Sequence, residues 1–313
     1  MKRREFMGYV AGTLAAATLN GKETLLLGRS RRISHAAYLL SQRIGVSSWS
    51  FRNYFPQTRD SDYHGPQQTF ALLDFPRMIA DRYKVHHLEF VAPHFASTER
   101  AYLDEVRSQL FRAGSYLVNL PIDIKELWTD GGLSDPSESV RNAAVEAAKK
   151  WIDIAAHLHA RSVRCDPGKM NPQNLAPTID SYGKLVAYAS RKGVRVIVEN
   201  HGGVGSEHPE DLIKLFKSVN SRYFGALPDF GNFPDPETRA RGLALLFPYA
   251  PTICHAKGLE FDAQGNEMKY DFPRCVEIAK RDRFRGVYSV EFEGTGDPYQ
   301  GVQNVINELL KSA

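Results

Sequence analysis

Cysteine is scarce in this chain. Its 313 residues hold three, Cys165, Cys254 and Cys275, with no CxxC pair among them. That excludes zinc-finger and thioredoxin-type chemistry. Cys165 and Cys254 stand inside apolar runs and read as small core residues. Excess charge of one sign is also scarce, because 40 Lys and Arg face 36 Asp and Glu for a net +4. Lys2, Arg3, Arg4, Lys22, Arg29, Arg31 and Arg32 carry much of that excess before residue 35. The remainder is near neutral and has no basic run interleaved with aromatics, so no nucleic-acid partner is expected. No apolar run reaches the roughly 20 residues of a membrane span. No GxGxxG follows the first apolar run, which counts against an open dinucleotide-binding sheet. There is no short-period repeat and no low-complexity linker.

The chain does carry an opening KRREFMGYVAGTLAAATLNG. A basic cluster precedes a short Ala- and Gly-rich apolar run from Tyr9 to Leu19, the layout of a secretory signal. Arg3, Arg4 and Phe6 match a twin-arginine export motif, and Ala15-Ala16-Ala17 offers a small-residue cleavage stretch. Residues 1–35 are therefore expected to be a twin-arginine-type signal peptide and linker. The mature protein would be periplasmic, with no stable membrane insertion once the signal is removed.

From residue 43 onward, short β-branched runs alternate with helical stretches. The runs fall at 43–51, 86–91, 116–122, 162–168, 194–201, 224–232, 252–259 and 287–294. Between them apolar residues recur at steps of three and four. Strand–helix alternation implies parallel strands with right-handed crossovers. Eight such units in about 270 residues fit one α/β domain over 36–313, a (β/α)8 TIM barrel.

In such a barrel the reactive groups lie at the C-terminal ends of the strands. The fifth run carries its apolar residues straight into Glu199-Asn200-His201. The sixth ends in Asp229-Phe230-Gly231-Asn232, the seventh carries His255-Ala256-Lys257, and the eighth ends in Glu291-Phe292-Glu293. Residues two apart share a strand face, so Glu199, Asp229, His255 and Glu291 can converge on one point. Three carboxylates at close range repel by several kcal/mol at intermediate dielectric. A bound divalent cation relieves this, and an oxygen-rich set with one imidazole suits Mn2+ or Mg2+, with Co2+ or Zn2+ also compatible.

At this point the motifs VENHGG, LPDFGNF, CHAKG and VEFEG resemble those of the xylose isomerase-like TIM barrels, a group of sugar isomerases, epimerases and related enzymes. The resemblance runs from about residue 43 to the end. It implies one Mn2+ or similar ion on Glu199, Asp229, His255 and Glu291, with Glu199 and Glu291 also the acid–base pair. It implies a sugar isomerase or epimerase that abstracts a proton beside a carbonyl and passes through a metal-stabilised enediolate. Members with several metals use additional ligands, and His94, Asp166 and His201 are the nearest candidates.

Lys257, on the face of His255, is a third catalytic candidate for holding an enediolate oxygen. His201, Glu89, His94, Arg164, Trp49 and Glu293 are substrate-binding candidates around the mouth, although an ion pair of Arg164 with Asp166 is the simpler reading. Phe51 is a candidate apolar wall, and Trp128 lies in a loop that can cover the site. His86, His87, His157 and His159 read as structural. An exported enzyme meets few phosphorylated sugars, so a free sugar or a glycoside is the expected small-molecule partner, and a homo-oligomer stays open. Two alternatives remain: a lyase that cleaves 3-keto-glycosides by the same proton abstraction, and an exported carbohydrate-binding barrel without catalysis. An apurinic-site nuclease would need more ligands and a basic groove.

Overall fold

Each run contains a strand; Glu199, His255 and Glu291 lie within theirs, and Asp229 stands two residues past its own. A computed structural model of the chain describes residues 34–66, 68–128, 131–202 and 206–313. The export segment expected at the N-terminus lies outside the described residues, apart from its last two positions. The side chain of Trp128 is also outside them. Ser34–Ala313 is one compact unit.

The strands are β1 Ile44–Ser47, β2 His87–Glu89, β3 Tyr116–Pro121, β4 Ser162–Arg164, β5 Arg195–Glu199, β6 Phe224–Leu227, β7 Ile253–Gly258 and β8 Val287–Phe292. They form one parallel sheet in the order β6-β5-β4-β3-β2-β1-β8-β7, with helices between them, a (β/α)8 TIM barrel. At the seam between β6 and β7, Pro228 has no N–H to donate to a ladder. A parallel bridge between Asp229 and His255 continues the pairing there. The His255 amide donates to the Pro228 carbonyl at 2.9 Å and the Phe230 amide to the His255 carbonyl at 3.1 Å. Two residues of the polar strand ends therefore also stitch the barrel seam.

Alternation along the strands separates two cores. Val118, Ile197, Leu227, Ile253 and Val287 form a small buried cluster of their own. Ile197, Leu227 and Ile253 stand two residues before Glu199, Asp229 and His255, so they share the inward face. An apolar plug thus lies directly beneath the polar strand ends, each side chain contributing about 1.5–3 kcal/mol on burial. The other faces of the strands pack against the helices in a second, much larger cluster that includes Val46, Val163, Val196, Ala256 and Val290. All three cysteines are free and buried.

The first strand differs from the expectation. It stops at Ser47, whose hydroxyl accepts from the Trp49 amide at 3.3 Å and caps a 3-10 helix over Ser48–Tyr54. Phe51 therefore does not wall a sugar pocket from a strand end. It is buried against Phe70, Phe75 and Tyr299. The helix after this loop begins at Phe75, with Pro76 in its first turn, where a missing N–H costs nothing.

Candidate metal centre

The ends of β5 to β8 bring Glu199, Asp229, His255 and Glu291 together. One ligand atom from each lies within 4.8 Å of the others, and all four side chains are buried. His255 Nδ1 faces the carboxylates, at 3.0 Å from Glu199 Oε1, 3.4 Å from Glu291 Oε2 and 3.5 Å from Asp229 Oδ2. Asp229 is aimed by its own backbone turn. Its Oδ1 accepts from the Gly231 and Asn232 amides at 2.6 and 2.8 Å. Its Oδ2 is buried and accepts no hydrogen bond, although the Lys257 ammonium stands 3.3 Å away.

That orphaned oxygen, a ring nitrogen and two further carboxylates make a donor set for a hard or borderline divalent cation. The electrostatics point the same way. Burial opposes charge on every member, yet Glu291, Glu89 and Glu199 together hold the His255 imidazole well above its ordinary basicity. Lys257 is raised well above the ordinary amine range, because Asp229, Glu291 and Glu293 outweigh its desolvation. Glu199 goes the other way, held well below the usual carboxylate range against burial by His255 and Arg164. Glu291 is pushed up to about 7 by burial. The cluster attracts protons because it carries more negative than positive charge, which is the condition a cation relieves.

The remaining site candidates divide into two groups. Lys257, Glu293 and Trp49 lie at the rim. Lys257 Nζ reaches Glu291 at 2.9 Å and Glu293 at 3.1 Å, and the Trp49 indole donates to Glu293 Oε1 at 2.7 Å. His201 is half-buried just past β5, its amide donating to Ser206.

Glu89, Arg164 and His94 are buried and direct their polar atoms to protein partners. Glu89 is fully buried behind His255, accepting at 3.0 Å from Nε2 and at 2.9 Å from Asn119. Both of its oxygens are committed, so it orients the imidazole and fixes Nδ1 toward the cluster, as outer carboxylates do at metal sites. Arg164 is buried among Asp123, Asp166 and Glu199. The Asp166 pairing is present at 3.4 Å, but the guanidinium also clamps Glu199 and supplies the positive charge there that a second ion would otherwise bring. His94 stacks on Phe55 with ring centroids 3.7 Å apart. Its ring nitrogens meet Ser48 at 2.9 Å and Thr58 at 2.8 Å, so the buried ring has both nitrogens occupied.

Three contributors escaped the sequence reading. Asn232 donates to Glu199 Oε1 and accepts from Lys257, both at 3.1 Å. Asn119 braces Glu89, and Asp123 pairs with Arg164. Asn119 was visible as the one amide inside the apolar run YLVNLPI, and Asn232 as the residue that closes the turn after Asp229.

The fold has counterparts in known proteins. A family model described as xylose isomerase-like TIM barrel matches residues 80–311. No curated protein matches the chain. A solved D-tagatose 3-epimerase-like protein is similar at TM-score 0.64 and 17% identity, over 86% of this chain and 97% of its own. A xylose isomerase-like TIM barrel protein from Mycobacterium smegmatis, solved in complex with magnesium, gives 0.61 and 17%, over 88% and 98%. A 3-keto-D-glucoside 4-epimerase from E. coli gives 0.60 and 16%, over 86% and 98%. At these identities the likeness is one of fold.

Proposed function

The chain belongs to the xylose isomerase-like TIM-barrel family, and we propose that it is a divalent-metal-dependent sugar isomerase or epimerase. The observation that carries this reading is the buried meeting of Glu199, Asp229, His255 and Glu291 at four consecutive strand ends. These four would hold the ion, with Mn2+ favoured over Mg2+, Co2+ and Zn2+. When bound, such an ion polarises a carbonyl and acidifies the neighbouring C–H.

The chain's own groups do the rest. Glu291, with Lys257 at 2.9 Å, is placed to take a proton from carbon and return it. Glu199 is its partner in the pair, although Arg164 and Asn232 hold it firmly as an anion. Lys257 keeps its charge beside Glu291 and can steady negative charge that develops on a substrate oxygen. Trp49, Glu293 and His201 at the rim are placed to meet sugar hydroxyls.

Loss of a β-oxygen after the same proton abstraction would make the enzyme a lyase of 3-keto-glycosides. That reading gains weight from the fold shared with a protein named as a 3-keto-D-glucoside 4-epimerase. The RREF opening supports export to the periplasm, which cell fractionation with an intact and an Arg3/Arg4-substituted leader tests.

The decisive experiment incubates metal-loaded protein with ketoses and 3-keto-glucosides in D2O. Deuterium should enter the carbon next to the carbonyl, and Glu291→Gln should abolish that exchange while remaining folded. Aglycone release would identify the lyase. Sugar binding without exchange in any substrate would leave a carbohydrate-binding barrel and sink the enzyme reading.

A further inference from the structure

Residues 34–313 are close to neutral, with 33 Lys and Arg against 34 Asp and Glu, but the fold sorts that charge between the two ends of the barrel. The four-residue cluster lies at the C-terminal ends of the strands. The helix-to-strand connections lie at the opposite end. They hold Arg43, Lys84, Arg161, Lys192, Arg222, Arg283 and Arg285 with a single acid, Asp282. The strand-to-helix connections carry acids such as Asp60, Asp62, Asp235, Asp262 and Asp297. Cations at helix C-termini answer the helix dipole, and Lys192 and Arg281 are of that kind, paired with Asp153 and Asp282. The dipole does not account for Arg161, Arg222, Arg283 and Arg285. They follow the helix caps at Leu158, Asn220 and Asp282. All four are exposed and make no ion pair among the described residues.

The same end exposes aromatic surface. Phe111 is 85% exposed and Tyr116 is 65% exposed, one on each side of the turn from the helix Arg100–Arg112 into β3. A cleft of about 490 Å³ runs beside them, lined by Leu110, Phe111, Tyr116, Leu117 and Leu158. The charges in that cleft, Asp104 and Arg107, pair with each other at 3.0 Å. Arg112 of the same turn lines a second cleft, of about 680 Å³, with Arg77, Lys84 and His86 against one acid, Asp81. Unpaired cations around projecting apolar rings make the composition of a membrane-surface contact. Aromatic rings settle at headgroup level, and cations gain from the negative potential of anionic lipid. A nucleic-acid backbone would reward only the cations.

We propose that the N-terminal end of the barrel docks on an anionic lipid bilayer, with Phe111 and Tyr116 seated among the headgroups and the surrounding arginines against lipid phosphates. The mouth of the barrel then faces away from the bilayer and stays open to solution. The docking does not depend on the sugar chemistry at that mouth.

The full chain is sedimented with vesicles of phosphatidylcholine alone and with vesicles in which about a third is phosphatidylglycerol. Every variant keeps residues 1–33, so any affinity of the expected leader is common to all. Wild type should bind the anionic vesicles at least about tenfold more tightly in about 0.1 M salt and lose that preference in about 1 M salt. Arg112→Glu with Arg161→Glu should weaken this binding at least about tenfold, and Phe111→Ser with Tyr116→Ser should weaken it about tenfold. All four side chains are exposed, so the circular dichroism of both double variants should match wild type. Amide hydrogen exchange on the vesicles should slow at 111–116 and 159–161 and stay unchanged at the C-terminal ends of β5 to β8. Equal binding to the two vesicles, an affinity that either double variant leaves unchanged, protection at the barrel mouth instead, or tighter binding to duplex DNA than to the anionic vesicles would each overturn the proposal.

Discussion

Strands β5 to β8 and strands β1 to β4 end in similarly polar residues, but the two halves of the barrel use them differently. The late half aims its side chains at one another. Glu199, Asp229 and Glu291 gather within 3.0–3.5 Å of a single imidazole nitrogen. The early half faces the backs of those residues. Glu89 of β2 holds His255, Asn119 of β3 holds Glu89, and Arg164 of β4 holds Glu199. A set of like charges stays converged only when something outside it fixes each member, because repulsion alone would turn the carboxylates apart. The early strands are therefore a brace, and the late strands carry the candidate metal cluster.

The sharpest way to break this division is to remove a member of each half. Asp229→Ala takes away the donor oxygen that accepts no hydrogen bond. Bound metal, measured by elemental analysis after dialysis, should fall from about one ion per chain to less than about a tenth, since affinity depends on the full ligand set. Thermal unfolding of the metal-free chain should stay cooperative. Full metal retention in this variant would remove Asp229 from the site.

Arg164→Met acts on the brace. It leaves the buried Asp166 and Glu199 and the partly buried Asp123 without their common cation, and chemical denaturation should show a loss of about 3–5 kcal/mol at pH 7. Asp166, whose carboxyl burial pushes up to about 6, should take up a proton more readily, so the loss should shrink as pH falls below that value. A loss of the same size at pH 5 would mean that the guanidinium contributes packing and not charge.

The division also explains what could be read from the chain. β-branched runs announce strands, and helical periodicity announces crossovers, so the barrel was legible. The late ends were legible because Glu199, Asp229, His255 and Glu291 each stand two or four residues past an inward apolar residue such as Ile197, Leu227, Ile253 or Val287. The partners of the early ends were not legible, because polarity at a strand end says nothing about which neighbour it meets. Glu89 points into the barrel as expected, but His255, three strands away, and Asn119, on the neighbouring strand, occupy its oxygens. His94 looked like a mouth residue by position. The 3-10 turn after β1 instead brings Ser48, Phe55 and Thr58 around it, and no local pattern encodes that fold-back.

A smaller effect distinguishes bracing from binding within the early half. Glu89→Gln keeps the shape and the hydrogen bond to His255 but removes the negative charge behind the imidazole. Metal affinity should fall about 10–100-fold, read by competition with a chelating dye, and the fold should be unchanged. If Glu89 instead met the sugar, metal affinity would be untouched and only sugar binding would weaken.

The smallest effect is invisible at neutral pH and tests whether His94 is a buried structural residue. Thr58 donates its hydroxyl to the Arg52 carbonyl at 2.8 Å, so Nε2 of His94 carries the proton that Thr58 accepts, and Nδ1 accepts from Ser48. Burial lowers the ring to about 3, so below its ordinary value the unfolded chain binds a proton that the folded chain does not. The stability due to the neutral ring is complete above pH 6.5 or so. It is lost as pH falls toward 3, by up to about 1.4 kcal/mol for each pH unit. His94→Gln should remove that proton from the linkage. Urea unfolding of the two proteins between about pH 6.5 and 4.5 should then give stability curves that diverge below pH 6, with the wild type steeper. Parallel curves would mean that the ring titrates in the folded state, and would return His94 to the solvent-facing mouth of the barrel.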